Sequence, residues 1–133
     1  MTPVQEPGPP EIRRPIVVVV DDDPAVLSAI RRLLREEPLE VLATPRAEEA
    51  LEWIQSRRVS LVVADERMAD MRGLQLLEEV ERLSPSTGRI LLTGYPEQSV
   101  KRETLEKGVF HLFYKPWNDH TLRRAIRRLA EVR

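Results

Sequence analysis

Apolar residues fall along this chain in two alternating rhythms. Short runs rich in β-branched side chains occupy residues 16–20, 39–44, 61–64, 90–93 and 109–114. These predict strands, and the central ones lack apolar–polar alternation, the pattern of strands covered on both faces. Between them apolar residues recur at helical spacing. Val26, Leu27, Ile30, Leu33 and Leu34 form the first stripe, behind Pro24, a residue suited to a first helical turn. Ala47, Ala50, Leu51 and Ile54 form the second, and Leu74, Leu77 and Val80, after Gly73, the third. A weaker fourth stripe covers residues 97–107 and stops at Gly108, a favoured residue just past a helix. The fifth starts from an Asn118 cap and carries Leu122, Ala125, Ile126 and Leu129. The predicted order is (βα)₅, an α/β fold with a doubly wound, five-stranded parallel sheet and helices on both faces.

The first fifteen residues stand outside this rhythm. They hold five of the eleven prolines and almost no apolar periodicity, which predicts a loosely attached tail at 1–15 before one domain at 16–133. A chain of 133 residues, 41% apolar, fits one domain with one core. The lack of cysteine excludes disulfides, thiolate zinc sites and cysteine nucleophiles. Twenty-one basic residues nearly cancel twenty-two acidic ones, so bulk charge gives no reason to expect direct nucleic-acid binding. Arg123, Arg124, Arg127, Arg128 and Arg133 have no interleaved aromatics and read as a solvated or partner-facing surface. The longest apolar run, residues 16–20, is far short of the about 20 residues a membrane span needs. Pro3, Pro7, Pro9 and Pro10 interrupt any signal-peptide core. A cytoplasmic protein without membrane contact is expected.

In sheets of this kind ligands bind beyond the carboxyl ends of the strands, where the strand order reverses. Polar residues at those ends should therefore form a coherent chemical set. The first strand ends in Asp21, Asp22 and Asp23, the third in Asp65, the fourth in Thr93 and the fifth in Lys115-Pro116. Each alone has an ordinary structural explanation: an Asp-rich turn caps a helix, a threonine suits a strand, a lysine is solvated. Together they make a set. Converging carboxylates repel and need a cation or shared protons. Mg²⁺ prefers such hard oxygens and keeps positions for water and phosphate. A carboxylate nucleophile beside Mg²⁺, a hydroxyl and an ammonium is equipment for forming an acyl phosphate.

Four segments also carry a family resemblance. Val17-Val18-Val19-Val20-Asp21-Asp22-Asp23-Pro24 resembles the acidic-pair motif of the receiver domains of two-component response regulators. Leu61-Val62-Val63-Ala64-Asp65-Glu66-Arg67-Met68, followed by Gly73-Leu74, resembles their phosphoacceptor motif. Ile90-Leu91-Leu92-Thr93-Gly94 resembles their hydroxyl motif, and Tyr114-Lys115-Pro116-Trp117 their lysine motif, where the family usually has a cis Lys-Pro bond. The likeness covers about residues 16–131. It implies a flavodoxin-like fold and a signalling domain that catalyses only its own phosphorylation and dephosphorylation. Asp65 would be the phosphoacceptor, with Thr93 and Lys115 contacting the phosphoryl oxygens. Asp22 and Asp65 would bind Mg²⁺ directly, Asp21 mainly through water, and Arg67 through its backbone carbonyl. Asp23 would cap the first helix. The implied partners are a sensor histidine kinase and an output domain or effector. The Tyr-Lys-Pro-Trp-Asn-Asp stretch resembles receivers attached to regulatory or cyclic-dinucleotide-related outputs.

Two departures from the family pattern stand out. Met68-Ala69 replaces a frequent Met-Pro, and Leu112 holds the position, three before the lysine, where a mobile Tyr or Phe is common. Arg67 and Tyr95 are expected to flank the path of water attacking a phosphorylated Asp65. The output surface expected from the resemblance joins the fourth helix (Lys101, Arg102, Glu103, Glu106), the fifth strand and the fifth helix (Asp119, Arg123, Arg124, Arg127). Its mixed charges suit a twofold homodimer contact. Two rival readings compete with this one. A haloacid-dehalogenase-like phosphatase could use Asp21-Asp22-Asp23, Thr93 and Lys115, but it leaves Asp65 unexplained. A pseudo-receiver acting only as a binding module would not need the full set.

Overall fold

The computed structural model describes residues 14–94 and 111–132. Along them run β1 (Ile16–Val20), α1 (Pro24–Leu33), β2 (Glu40–Thr44), α2 (Ala47–Ser56), β3 (Val59–Asp65), α3 (Gly73–Leu83), β4 (Gly88–Thr93), β5 (His111–Tyr114) and α4 (Asp119–Leu129). The stripe expected at 97–107, the first two residues of the expected fifth strand and most of the expected tail lie outside the described residues. The helix expected fifth in the sequence is therefore α4 here.

All five strands are parallel, in the order β2-β1-β3-β4-β5. Strand alternation sends successive side chains to opposite faces, and β1 shows why its run of valines has no polar member. Val18 and Val20 join the layer under α2 and α3, with Ala50, Ile54, Leu74, Leu77 and Val80. Val17 and Val19 join the layer under α1 and α4, with Ile30, Leu34, Leu122 and Ile126. Helices thus cover both faces of one parallel sheet, as the sequence pattern predicted.

The helix starts follow the side chains the sequence offers. Asp23 accepts a hydrogen bond from Ala25 N–H at 2.9 Å and so caps α1, with Pro24 next to it. Asn118 accepts one from Thr121 N–H at 3.0 Å and caps α4. Each satisfies a donor that the first turn leaves unpaired.

Two strands begin earlier than the apolar runs indicate, β3 at Val59 and β4 at Gly88. Polar Ser60 and charged Arg89 broke those runs. Arg89 is nonetheless buried within β4, because its Nη1 donates to Glu81 Oε2 of α3 at 3.0 Å. A charge is tolerated inside when it is paired there. β2 begins one residue later than expected, and Glu40 N–H donates to Pro15 O at 2.8 Å, so Pro15 already lies against the sheet.

Candidate functional site

The strand order puts β1 and β3 side by side, Val20 opposite Ala64. The residues that follow, Asp21 and Asp65, therefore meet at the carboxyl edge of the sheet. This is where the order reverses, since β1 is flanked by β2 on its other side. Oxygens of Asp21, Asp22 and Asp65 all lie within 4.8 Å of one another. The lysine that follows β5 reaches into the same place. Lys115 Nζ stands 3.0 Å from Asp21 Oδ2 and 2.9 Å from Asp65 Oδ1. Asp21, Asp22, Asp23, Asp65, Arg67, Gly94 and Lys115 line one open cleft.

The environments of the three carboxylates differ. Asp21 and Asp65 are buried, and Asp22 is exposed. Burial raises the pKa of Asp21, and the neighbouring Asp65 charge pushes the same way. The hydrogen bonds it accepts from Asp23 N–H and from Lys115 only partly offset this. For Lys115, burial acts to lower the pKa, but the hydrogen bonds to Asp65 and Asp21 outweigh it and the net shift is upward. The ammonium is thus held charged between two acids, one of which is strained by its burial.

This sets a sign for the pH dependence. A carboxyl whose pKa is raised on folding adds stability that is complete below its ordinary value of 3.8 and lost as pH rises through the raised value. At neutral pH without metal, ionised Asp21 therefore weighs against the fold. Asp21→Asn is expected to raise the urea midpoint at pH 7 in EDTA, with the gain vanishing as pH falls towards 3.8. Denaturant titrations across that range check it; a lower midpoint at pH 7 would contradict the assignment.

The other expected residues have distinct positions. Arg67 is exposed on the rim of the cleft. Thr93 ends β4 at the same sheet edge but is fully buried, its carbonyl accepting from Lys115 N–H at 2.8 Å; Gly94 beside it lines the cleft. The Lys115-Pro116 peptide is cis. Leu112 packs into the layer under α2 and α3, opposite Leu91. Tyr95 lies outside the described residues.

Glu66, next to Asp65, has a role that the sequence motif does not indicate. Its carboxylate is buried and accepts from Leu74 N–H at 3.0 Å, from Arg72 Nε at 3.1 Å and from Arg72 Nη2. A charged residue directly after an apolar strand, with an arginine six residues on, was the available signal.

Comparison with known proteins settles the family. The profile of the response regulator receiver domain matches residues 17–127 of the 133. The chain belongs to the response regulator receiver domain family. It is 35% identical over 115 residues to the hydrogenase transcriptional regulatory protein HoxA of Cupriavidus necator, covering 83% of this chain and 24% of that protein. The transcriptional regulatory protein GlrR of Escherichia coli is 31% identical over 110 residues, 83% of this chain and 25% of that protein. The receiver domain thus spans about a quarter of the length of these curated relatives. Among solved structures, the signal receiver domain of an HD domain-containing protein from Pseudomonas fluorescens superposes with a TM-score of 0.84 at 33% identity, over 90% of this chain and 96% of that one. A CheY-like receiver domain from Methanospirillum hungatei gives 0.83 at 29%, over 90% and 95%. The domain is a signalling module, and its acidic cluster can hold a metal ion. No described helix is long and apolar enough to cross a membrane.

Proposed function

We propose that this receiver domain takes a phosphoryl group from a sensor histidine kinase onto Asp65, with Mg²⁺ bound by the cleft, and passes the change to an output domain or effector. The observation that carries the reading is the clustering of Asp21, Asp22 and Asp65 within 4.8 Å of one another at one sheet edge, with Lys115 in contact with Asp21 and Asp65. The donor set fits Mg²⁺. It offers hard carboxylate oxygens from two strand ends, exposed Asp22 leaves room for water, and the lack of nitrogen or sulfur donors disfavours softer metals. Asp22, Asp65 and the Arg67 carbonyl would hold the ion, with Asp21 behind a water. When bound it neutralises charge on the phosphoryl oxygens.

The chain's own groups do the rest. An Asp65 carboxylate oxygen attacks phosphorus while the phosphorus–nitrogen bond of the donor histidine breaks. That electron pair leaves on the imidazole nitrogen, which takes up a proton. Lys115, already 2.9 Å from Asp65, follows the phosphoryl oxygens by moving its ammonium a short way. The Thr93 hydroxyl, at the same edge, serves a second oxygen. Positioning and charge compensation are what a protein contributes to such a transfer. The parent chain with phosphoramidate and Mg²⁺ is expected to gain one phosphoryl group by intact-mass spectrometry and none in EDTA. Equal labelling in EDTA, or none in Mg²⁺, would refute the reading.

A twofold homodimer through β5 and the C-terminal helix is part of the same proposal, and the structure changes which residues would serve it. Arg123 Nε donates to Leu33 O at 3.4 Å, which ties α4 to the end of α1, and Arg127 pairs with Glu37 in the turn that follows α1. Arg124 and Arg128 are the exposed members. Their reversal to Glu is expected to abolish any dimer seen by analytical ultracentrifugation with beryllofluoride and Mg²⁺. A monomer under those conditions, or a dimer indifferent to the reversal, would place the output surface elsewhere. The expected contribution of Lys101, Arg102, Glu103 and Glu106 lies outside the described residues.

A further inference from the structure

We infer that Glu66 is a positioning residue for the metal site: its buried carboxylate ties the neck of the loop that carries the Arg67 carbonyl beside Asp65. The inference rests on the reading of the cleft as a Mg²⁺ site. Glu66 lies one residue past β3, and its N–H still pairs with Leu92 O of β4 at 2.9 Å. Alternation turns its side chain away from the cleft that Asp65 faces and towards α3. There the loop closes on it three times. Gly73 N–H donates to the Glu66 carbonyl at 2.9 Å, Leu74 N–H to its Oε1 at 3.0 Å, and the Arg72 guanidinium to its Oε2.

These contacts do what α3 cannot do alone. Arg72 occupies the N-cap position of α3, and its side chain has no acceptor to offer the first turn. Gln75 Oε1 accepts from Arg72 N–H at 3.2 Å, which is only the return half of a capping arrangement. Glu66 supplies the missing acceptor from eight residues upstream. Its negative charge also sits at the favourable end of the helix dipole. The carboxylate is 4% exposed, so its charge is tolerated only with these partners in place. Residues 66–72 thus form a loop clamped at both ends, and Arg67 follows directly on the clamp. A carbonyl there can ligate a small ion at short range only if the neck does not tilt. Mg²⁺ tolerates little deviation from octahedral geometry.

The test compares Mg²⁺ affinity among Glu66→Ala, Glu66→Gln and Val80→Ala, each measured by the rise in melting temperature with added MgCl₂. Val80 is buried on α3 away from the loop, so its truncation lowers stability without touching the clamp. Loss of an orienting partner behind a metal ligand weakens binding about 10–100-fold. That loss is expected for Glu66→Ala, with partial rescue in Glu66→Gln, which keeps an acceptor for Leu74 N–H. Val80→Ala should melt lower yet bind Mg²⁺ as the parent does. Parental affinity in both Glu66 variants, or an equal loss in Val80→Ala, would overturn the inference. If the parent itself binds no Mg²⁺, the proposed function fails instead.

Discussion

Gly73→Ala is expected to cost the fold about 3 kcal/mol, more than most single methyl groups added to a protein core. A Cβ at this position would stand 2.2 Å from the Asp65 carbonyl oxygen, 2.9 Å from its carbonyl carbon and 2.8 Å from Leu91 Cδ1. The leucine can turn aside. The carbonyl cannot, because Asp65 is the last residue of a central strand and its successor is hydrogen-bonded to β4. Relief must therefore come from a shift of α3 or of the strand end that holds the acidic site. Urea unfolding of parent and variant checks this. A loss below about 1 kcal/mol would mean that the close approach is more yielding than the backbone geometry indicates.

Lys115→Met is the second large effect, and its interest lies in what reverses it. The ammonium neutralises Asp21 and Asp65 at once, and both acids are largely out of water. Removing one partner of such a group leaves uncompensated buried charge, a loss of about 3 kcal/mol at neutral pH without metal. Two conditions should recover much of it. Lowering the pH lets Asp21, whose pKa burial already raises, take up a proton. Adding Mg²⁺ restores a cation to the same oxygens, and binding to the folded state alone adds stability by mass action. The variant should bind Mg²⁺ more tightly than the parent, since a competing positive charge is gone. Denaturation midpoints with and without MgCl₂ at several pH values check both statements. A deficit that Mg²⁺ leaves untouched would show that Lys115 acts through packing of its stem.

The sequence carried the architecture because parallel strands covered on both faces are largely apolar, as all of β1 and the runs 61–64 of β3 and 90–92 of β4 are. It carried most of the site for a related reason: the strand ends of such a sheet are where polar residues cluster, and Asp21, Asp65 and Lys115 arrive there together. Less legible were features that depend on partners distant in sequence. Arg89 lies within β4 because Glu81 of α3 pairs with it, and the apolar run starting at Ile90 does not announce that partner. Arg123 and Arg127 looked like free surface, because nothing in α4 itself announces Leu33 O or Glu37 ninety residues earlier. Glu66 lay inside a recognised motif, yet its work is done by which face of β3 it leaves from, and by a helix whose N-cap residue lacks an acceptor.

The proposed phosphoryl transfer requires that one particular carboxylate, among three clustered at the sheet edge, becomes the acyl phosphate. Asp21, Asp22 and Asp65 have oxygens within 4.8 Å of one another, so labelling of the intact chain does not by itself tell them apart. Reduction of the phosphorylated protein with borohydride converts an aspartyl phosphate to homoserine, which peptide mass spectrometry places by residue. The account predicts homoserine at position 65, dependent on Mg²⁺ and absent from Asp65→Asn. Homoserine at position 21 or 22, or undiminished labelling of Asp65→Asn, would contradict it.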